Sequence, residues 1–211
     1  MTQFDGLREA IIEGDVETAG VLVTELLGQG VLPLEIIDLG LVSGMNFVGE
    51  RFRDGDMYIP EVLMAARAVS VGMEKVKPFI SKEDVKPKGT VIIATVRGDL
   101  HEIGKNLVAM ILETGGFDVV NLGVDISPDA FVDATKKYQP QFVCMSSLLT
   151  TTMMAMKETI DLLEEEGLRD RVKVLVGGAP ISKEFAASIG ADGYGADAIE
   201  TKELCMQMIS N

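Results

Sequence analysis

The sequence predicts an α/β chain in which a four-helix bundle precedes a doubly wound, five-stranded parallel sheet. Two observations predict it. Before about residue 85 the apolar residues recur at helical spacing, and from residue 90 onward short apolar runs alternate with helical patterns. A third observation, Ser81 to Gly89, separates the two regions. That segment carries Lys82, Glu83, Asp84, Lys86, Pro87 and Lys88, lacks apolar periodicity and is expected to be a linker. The expected organisation is therefore residues 1–80 helical, 81–89 linker and 90–211 α/β.

Leu7, Ala10 and Ile11 share one helical face, and Val16, Ala19, Val23 and Leu26 share another. Gly14-Asp15 divides the two, with Asp15 placed to cap the second helix. Gly28-Gln29-Gly30 ends that helix, and Pro33 sits where a new one begins. The third carries Ile36, Ile37, Leu41, Met45 and Val48 towards Phe52, and Asp54-Gly55-Asp56 breaks it. Pro60 opens the fourth, through Val62, Met64, Ala68 and Val71 to about Phe79. Four helices with short loops suffice for a small antiparallel bundle.

Beyond the linker the expected strands are 90–96, 118–122, 142–146, 172–176 and a short 193–194. The expected helices are 103–114, 128–138, 151–166, 182–189 and 198–208. The early strands are almost entirely apolar, as strands covered on both faces must be. Five β–α units in this length fit a flavodoxin-like, Rossmann-like domain, whose ligands collect at the carboxyl ends of the strands. Three polar or glycine-rich stretches fall at such ends: Gly98–Gly104, Ser146–Thr152 and Gly177-Gly178.

Composition narrows the function classes. Hydrophobic residues at 47% and charged residues at 25% are ordinary for a soluble globular chain. A formal charge of −14 repels nucleic acid and anionic membrane alike. The chain has no apolar run long enough to span a bilayer and begins without a signal-peptide pattern, so a cytoplasmic protein is expected. Cys144 and Cys205 make neither a disulfide framework nor a zinc pattern, and Cys144 reads as a small core residue. Met64, Met73, Met110 and Met156 sit at helix positions suited to filling a core.

The one histidine, His101, lies in Gly98-Asp99-Leu100-His101-Glu102-Ile103-Gly104-Lys105-Asn106, directly after the first strand. An imidazole two residues from a carboxylate suits a metal ligand whose tautomer the carboxylate fixes. Asp99 has a second reading as the cap of the following helix. Gly104 can serve tight helix–strand packing, and the segment is neither a dinucleotide fingerprint nor a P-loop. Gly177-Gly178 is either a strand terminator or a place where a large flat ligand meets backbone.

Asp99-x-His101-x-x-Gly104, then Ser146-x-Leu148, then Gly177-Gly178 resembles the corrinoid-binding signature of cobalamin-dependent methyltransferases and related mutases. Residues 44–52 and Met57-Tyr58-Ile59-Pro60-Glu61-Val62-Leu63 resemble the helical cap of methionine synthase and of the small corrinoid proteins. The whole chain is covered, and it is most similar to the corrinoid proteins of methanol, methylamine, betaine and methoxyarene methyltransfer systems.

The resemblance implies a cofactor, cobalamin or a related corrinoid that carries methyl on its cobalt. His101 would coordinate cobalt from below, Asp99 would hydrogen-bond to His101, and Thr152 would supply the hydroxyl of a proton relay. Methionine synthase has serine at that last position. Gly98, Leu100, Glu102, Ile103 and Gly104 would lie against the cofactor around His101. Ser146, Leu148 and Thr150 would line the channel for the displaced nucleotide tail, with Gly177, Gly178 and Ala198 further in. Phe52 and Ile59 would cover the upper face, and the 81–89 linker would be a hinge. The implied role is a carrier component of one-carbon metabolism, not a complete enzyme alone. Its implied partners are a substrate-specific methyltransferase, a second methyltransferase that serves an acceptor such as a tetrahydrofolate or a thiol cofactor, and a reductive activator. A cobalamin-binding sensor is the alternative, although such regulators usually carry a DNA-binding module and a tryptophan-bearing cap. A radical-mutase subunit is a third reading, and it would not need the four-helix cap.

Overall fold

The structure, a computed structural model, describes residues 3–79 and 87–209. The chain divides into two units, Met1–Lys86 and Pro87–Asn211. Residues 81–86 of the expected linker lie outside the described residues. Its last residues belong to the second unit: the Lys88 N–H donates to Gly116 O (3.0 Å) and Gly89 O accepts from the Asp118 N–H (3.0 Å).

The first unit is helical. It comprises α1 (Asp5–Ile12), α2 (Val16–Gly28), α3 (Pro33–Glu35), a π-helical stretch Ile36–Val42, α4 (Ser43–Arg53) and α5 (Ile59–Val76), closed by a 3-10 turn Lys77–Phe79. Asp15 caps α2 as expected, accepting the Thr18 N–H at 3.0 Å. Leu7, Ile11, Ile36, Leu41, Met45, Val48, Val62 and Val69 form its core.

The third expected helix is a composite of α3, the π stretch and α4. Helical spacing alone does not reveal a wider turn, because an i→i+5 segment still returns apolar residues to the same side. Close approach decides the packing there. A Cβ on Gly40 would stand 2.6 Å from Leu7 Cδ2, and one on Gly72 would stand 2.6 Å from Leu41 Cδ2.

The second unit alternates strand and helix. Its elements are β1 (Thr90–Val96), α6 (Ile103–Thr114), β2 (Asp118–Ile126), α7 (Pro128–Tyr138), β3 (Phe142–Ser146), α8 (Met154–Glu165), β4 (Lys173–Gly177), α9 (Lys183–Ser188), β5 (Gly193–Gly195) and α10 (Ala198–Ile209). The five strands are all parallel, in the order β2-β1-β3-β4-β5. Side chains alternate between the two faces. Ile92, Ala94, Val96, Val143, Met145, Val174 and Val176 pack with α7, α8 and α9. Val91, Ile93, Phe142, Cys144 and Leu175 pack towards α6 and α10. Cys144 is a core residue beside Cys205, and its hydrogen bond with that thiol, together with burial, pushes the Cys144 thiol up. Met156 is buried, but Met64 is 48% exposed and fills no core.

In this unit two boundaries differ from expectation by more than one residue. β2 continues to Ile126 instead of stopping at Leu122, because Gly123 and Asp125 take up positive φ (95° and 55°) and the pairing with β1 survives through register shifts. α8 starts at Met154, since residues 150–153 form the turn that carries Thr152. Among the described residues no helix is long and apolar enough to cross a membrane.

A candidate cofactor site at the switch point of the sheet

The chain leaves β1 towards β2 on one side and later returns to place β3 on the other, so the loops after β1 and β3 diverge around a crevice. Asp99 ties these loops together. Its side chain is fully buried, and its carboxylate accepts from both loops. Oδ1 accepts the His101 N–H (3.0 Å) and the His101 Nδ1–H (2.6 Å). Oδ2 accepts the Leu148 N–H (2.6 Å), the Leu149 N–H (3.3 Å) and the Thr152 hydroxyl (3.3 Å). Asp99 is thus the partner of His101 and not a helix cap. The N-cap of α6 is Glu102, whose side chain makes no capping bond.

Burial on its own would raise the Asp99 pKa. The backbone N–H groups of His101 and Leu148, the His101 ring and the Leu149 N–H outweigh it and lower the pKa to about 2. An ionised Asp99 accepts only, so the proton between the two groups belongs to His101 Nδ1. In the neutral ring Nε2 then keeps its lone pair, on a side chain that is 53% exposed.

The loop is held on its other sides as well. Thr95 donates its hydroxyl to His101 O (2.8 Å). Asp125 Oδ1 accepts the Gly98 N–H (2.7 Å), while its own N–H donates to Asp99 O (3.0 Å). Around this polar knot the two loops expose apolar side chains: Leu100 and Ile103 from the first, Leu148 and Leu149 from the second, and Met154 just beyond. Gly104 lies beside them, and a Cβ there would meet no atom within 4 Å. Gly104 therefore does not serve tight packing; its side is open.

The β4 end closes against the β3 loop. Ser146 pairs with Gly177, and Gly177 with Gly195, across neighbouring strands. Gly178 has φ +126°, and a Cβ on it would fall 1.9 Å from Ser147 O. Only glycine lets these two backbones come so close.

Models of the B12 binding domain match residues 89–202 and, for a second such domain, 3–77. The trimethylamine corrinoid protein 1 of Methanosarcina acetivorans is 43% identical over 92% of this chain and 90% of its own length. The chain belongs to the corrinoid-protein family. The dimethylamine corrinoid protein of Methanosarcina barkeri is 38% identical over 97% of this chain and 96% of its own. The methanol:cobalamin methyltransferase complex of Methanosarcina barkeri superposes with a TM-score of 0.87 at 31% identity, covering 99% of this chain and 80% of that one. A cobalamin-binding protein from Desulfitobacterium hafniense gives 0.83 at 31% identity, over 98% of both chains.

This corrinoid protein is accordingly a methyl carrier of the methyltransferase systems, and its cofactor is a corrinoid. The residues present fit that group. Among the described residues no three His, Cys, Asp or Glu side chains converge to cage a metal. A metal that arrives already ringed by a macrocycle needs only one protein donor, and an apolar rim with an open Gly104 suits a flat ligand.

The structure brings most of the expected site residues to one end of one sheet. Gly98, Asp99, His101, Leu148 and Thr152 are linked by direct contacts; a Cβ on Gly98 would lie 3.2 Å from Thr152 Cγ2. Leu100, Glu102, Ile103 and Gly104 flank them in the chain. Ser146, Gly177 and Gly178 stand at the ends of β3 and β4, Thr150 in the exposed turn after β3, and Ala198, buried, at the first residue of α10. Phe52 and Ile59 belong to the helical unit, at the end of α4 and the start of α5, with Ile59 48% exposed.

Sequence reasoning missed three members of this site: Thr95, Asp125 and Ser147. It also missed Lys105, a fully buried lysine whose ammonium donates to Asn106 Oδ1 (2.6 Å) and Asn121 Oδ1 (2.8 Å), tying α6 to β2.

Proposed function

We propose that His101 is the protein ligand of the corrinoid cobalt, through Nε2, and that Asp99 and Thr152 set its orientation and basicity. The observation that carries this is the 2.6 Å bond from His101 Nδ1 to a buried, ionised Asp99, which commits one ring nitrogen and leaves the other for a metal. When bound, the corrinoid supplies a cobalt centre that accepts and gives up a methyl group. The chain's own residues hold it. Gly98, Leu100, Glu102, Ile103 and Gly104 form the surface around the ligand. Ser146, Leu148, Thr150, Gly177, Gly178 and Ala198 receive the nucleotide tail. Phe52 and Ile59 keep water from the methyl-bearing face.

The same reading assigns the partners. One methyltransferase, selective for the methyl donor, loads the carrier, and a second unloads it to an acceptor such as a tetrahydrofolate or a thiol cofactor. A reductive activator restores carriers that have become oxidised. The names of the relatives favour a methylated amine as donor and favour the carrier over the sensor.

The test is His101→Ala in the cobalamin-loaded protein. The absorption spectrum is expected to change to that of a corrinoid without a histidine ligand, and loading with methyl by purified methyltransferases to fall at least about tenfold. A variant that keeps the wild-type spectrum overturns the ligand assignment.

A further inference from the structure

Among the described residues two that are not glycine have positive φ, Asp125 (55°) and Gln139 (47°). Gln139 ends α7, where that conformation is common. Asp125 lies inside β2, where strand geometry calls for negative φ, so its conformation needs another cause. A strained residue persists only when its surroundings hold it there, and such residues gather at functional sites.

The pairing of β2 shows what holds it. Ala94 pairs with Gly123 and Val96 with Ile126, so β2 carries an extra residue against β1 at this point. A bulge of this kind re-aims a side chain. Its start is fixed by Asn121 Oδ1, which accepts the Gly123 N–H (3.0 Å) and the ammonium of the buried Lys105 (2.8 Å). The re-aimed Asp125 then meets the loop after β1 twice. Its Oδ1 accepts the Gly98 N–H (2.7 Å), and its own N–H donates to Asp99 O (3.0 Å). These two bonds bracket the Asp99 α-carbon, one acting on the main chain before it and the other on the carbonyl after it. Glycine at position 125 would take the φ without strain but offers no acceptor. Most side chains that could accept are disfavoured at that φ, whereas aspartate and asparagine satisfy both demands.

We infer that Asp125 is a positioning residue for His101. By gripping the Asp99 main chain from β2, it holds the carboxylate where the His101 ring and the β3 loop both reach it. The inference rests on the reading of His101 and Asp99 as the ligand pair.

The test uses the full-length protein and three variants, Asp125→Gly, Asp125→Ala and Asp125→Asn. Without cofactor and at one fixed pH, nuclear magnetic resonance follows solvent exchange of the His101 Nδ1–H, whose assignment is unambiguous because the chain has one histidine. Asp125→Gly keeps the backbone conformation and loses the acceptor, so exchange quickens by up to about fivefold, the worth of one net hydrogen bond. Asp125→Ala loses the acceptor and is strained as well, and it exchanges at least as fast. Asp125→Asn keeps the oxygen and the φ, and it stays near wild type. Wild-type exchange in Asp125→Gly, or exchange in Asp125→Asn as fast as in Asp125→Gly, overturns the inference. The spectrum of cobalamin-loaded His101→Ala tests the ligand reading separately. If it stays wild-type, the ligand assignment fails and the exchange order alone judges the grip of Asp125 on Asp99. If it changes, Asp125→Gly loaded with cobalamin shows less histidine-bound cobalt than Asp125→Asn, and equal fractions overturn the inference.

Discussion

At the scale of single residues, Asp99 does the organising. Five donors converge on one buried carboxylate, and its folded-state pKa of about 2 lies below the ordinary 3.8. A depressed carboxylate stabilises the fold above its unfolded-state pKa and loses that contribution as the pH falls through the folded-state value. Relative to Asp99→Asn, the apo chain is therefore expected to be more stable by about 2 kcal/mol at neutral pH. That advantage should shrink as the pH drops from about 4 towards 2, since a protonated Asp99 offers the same mismatch as an amide. Chemical denaturation of both proteins across this range is the measurement. His101 and Asp99 were legible in the sequence because a lone histidine after an apolar run, two residues from a carboxylate, pairs a titratable ring with the group that orients it. Ser147 was not. Ser146 and Ser147 are chemically identical neighbours, and which one turns its hydroxyl to Thr152 depends on where β3 ends. Asp125 was hidden for a related reason: its hold on Gly98 needs a positive φ, and aspartate gives no outward sign of adopting one.

At the scale of elements, the alternation of apolar runs and helical patterns located every strand and α-helix of the second unit, though not the 3-10 turn Arg169–Arg171, because parallel strands covered on both faces leave an unmistakable trace. The ends were less legible. β2 outlasts its apolar run through bulges at Gly123 and Asp125, and the π-helical stretch Ile36–Val42 imitates ordinary helical spacing. Gly177-Gly178 left two readings open, and the closeness of Ser147 O to Gly178 shows that it does more than end a strand. Gly178→Ala combines an overlap with backbone and a disfavoured φ, and should cost about 3 kcal/mol. Thermal unfolding of the apo protein measures this. Gly104→Ala is its contrast: nothing lies within 4 Å of the added methyl, so stability should hold while corrinoid uptake falls.

At the scale of the whole molecule, each unit has its own core, and the knot around Asp99 is built entirely from the second. A fragment beginning at Pro87 should consequently unfold cooperatively and take up cobalamin with its histidine bound, which calorimetry and absorption spectroscopy on the fragment would check. Failure of the fragment to bind would move essential contacts into the helical unit. The meeting of Gly178 with Ser147 also has a bearing on how such a molecule can change over generations. Two successive β–α units share a space that admits no side chain at position 178, so neither loop can drift alone. A replacement there would have to be accompanied by a shift of the Ser147 peptide, and with it the hydroxyl that faces Thr152. Variation at the end of β4 and in the loop after β3 is thereby coupled through a single missing methyl group.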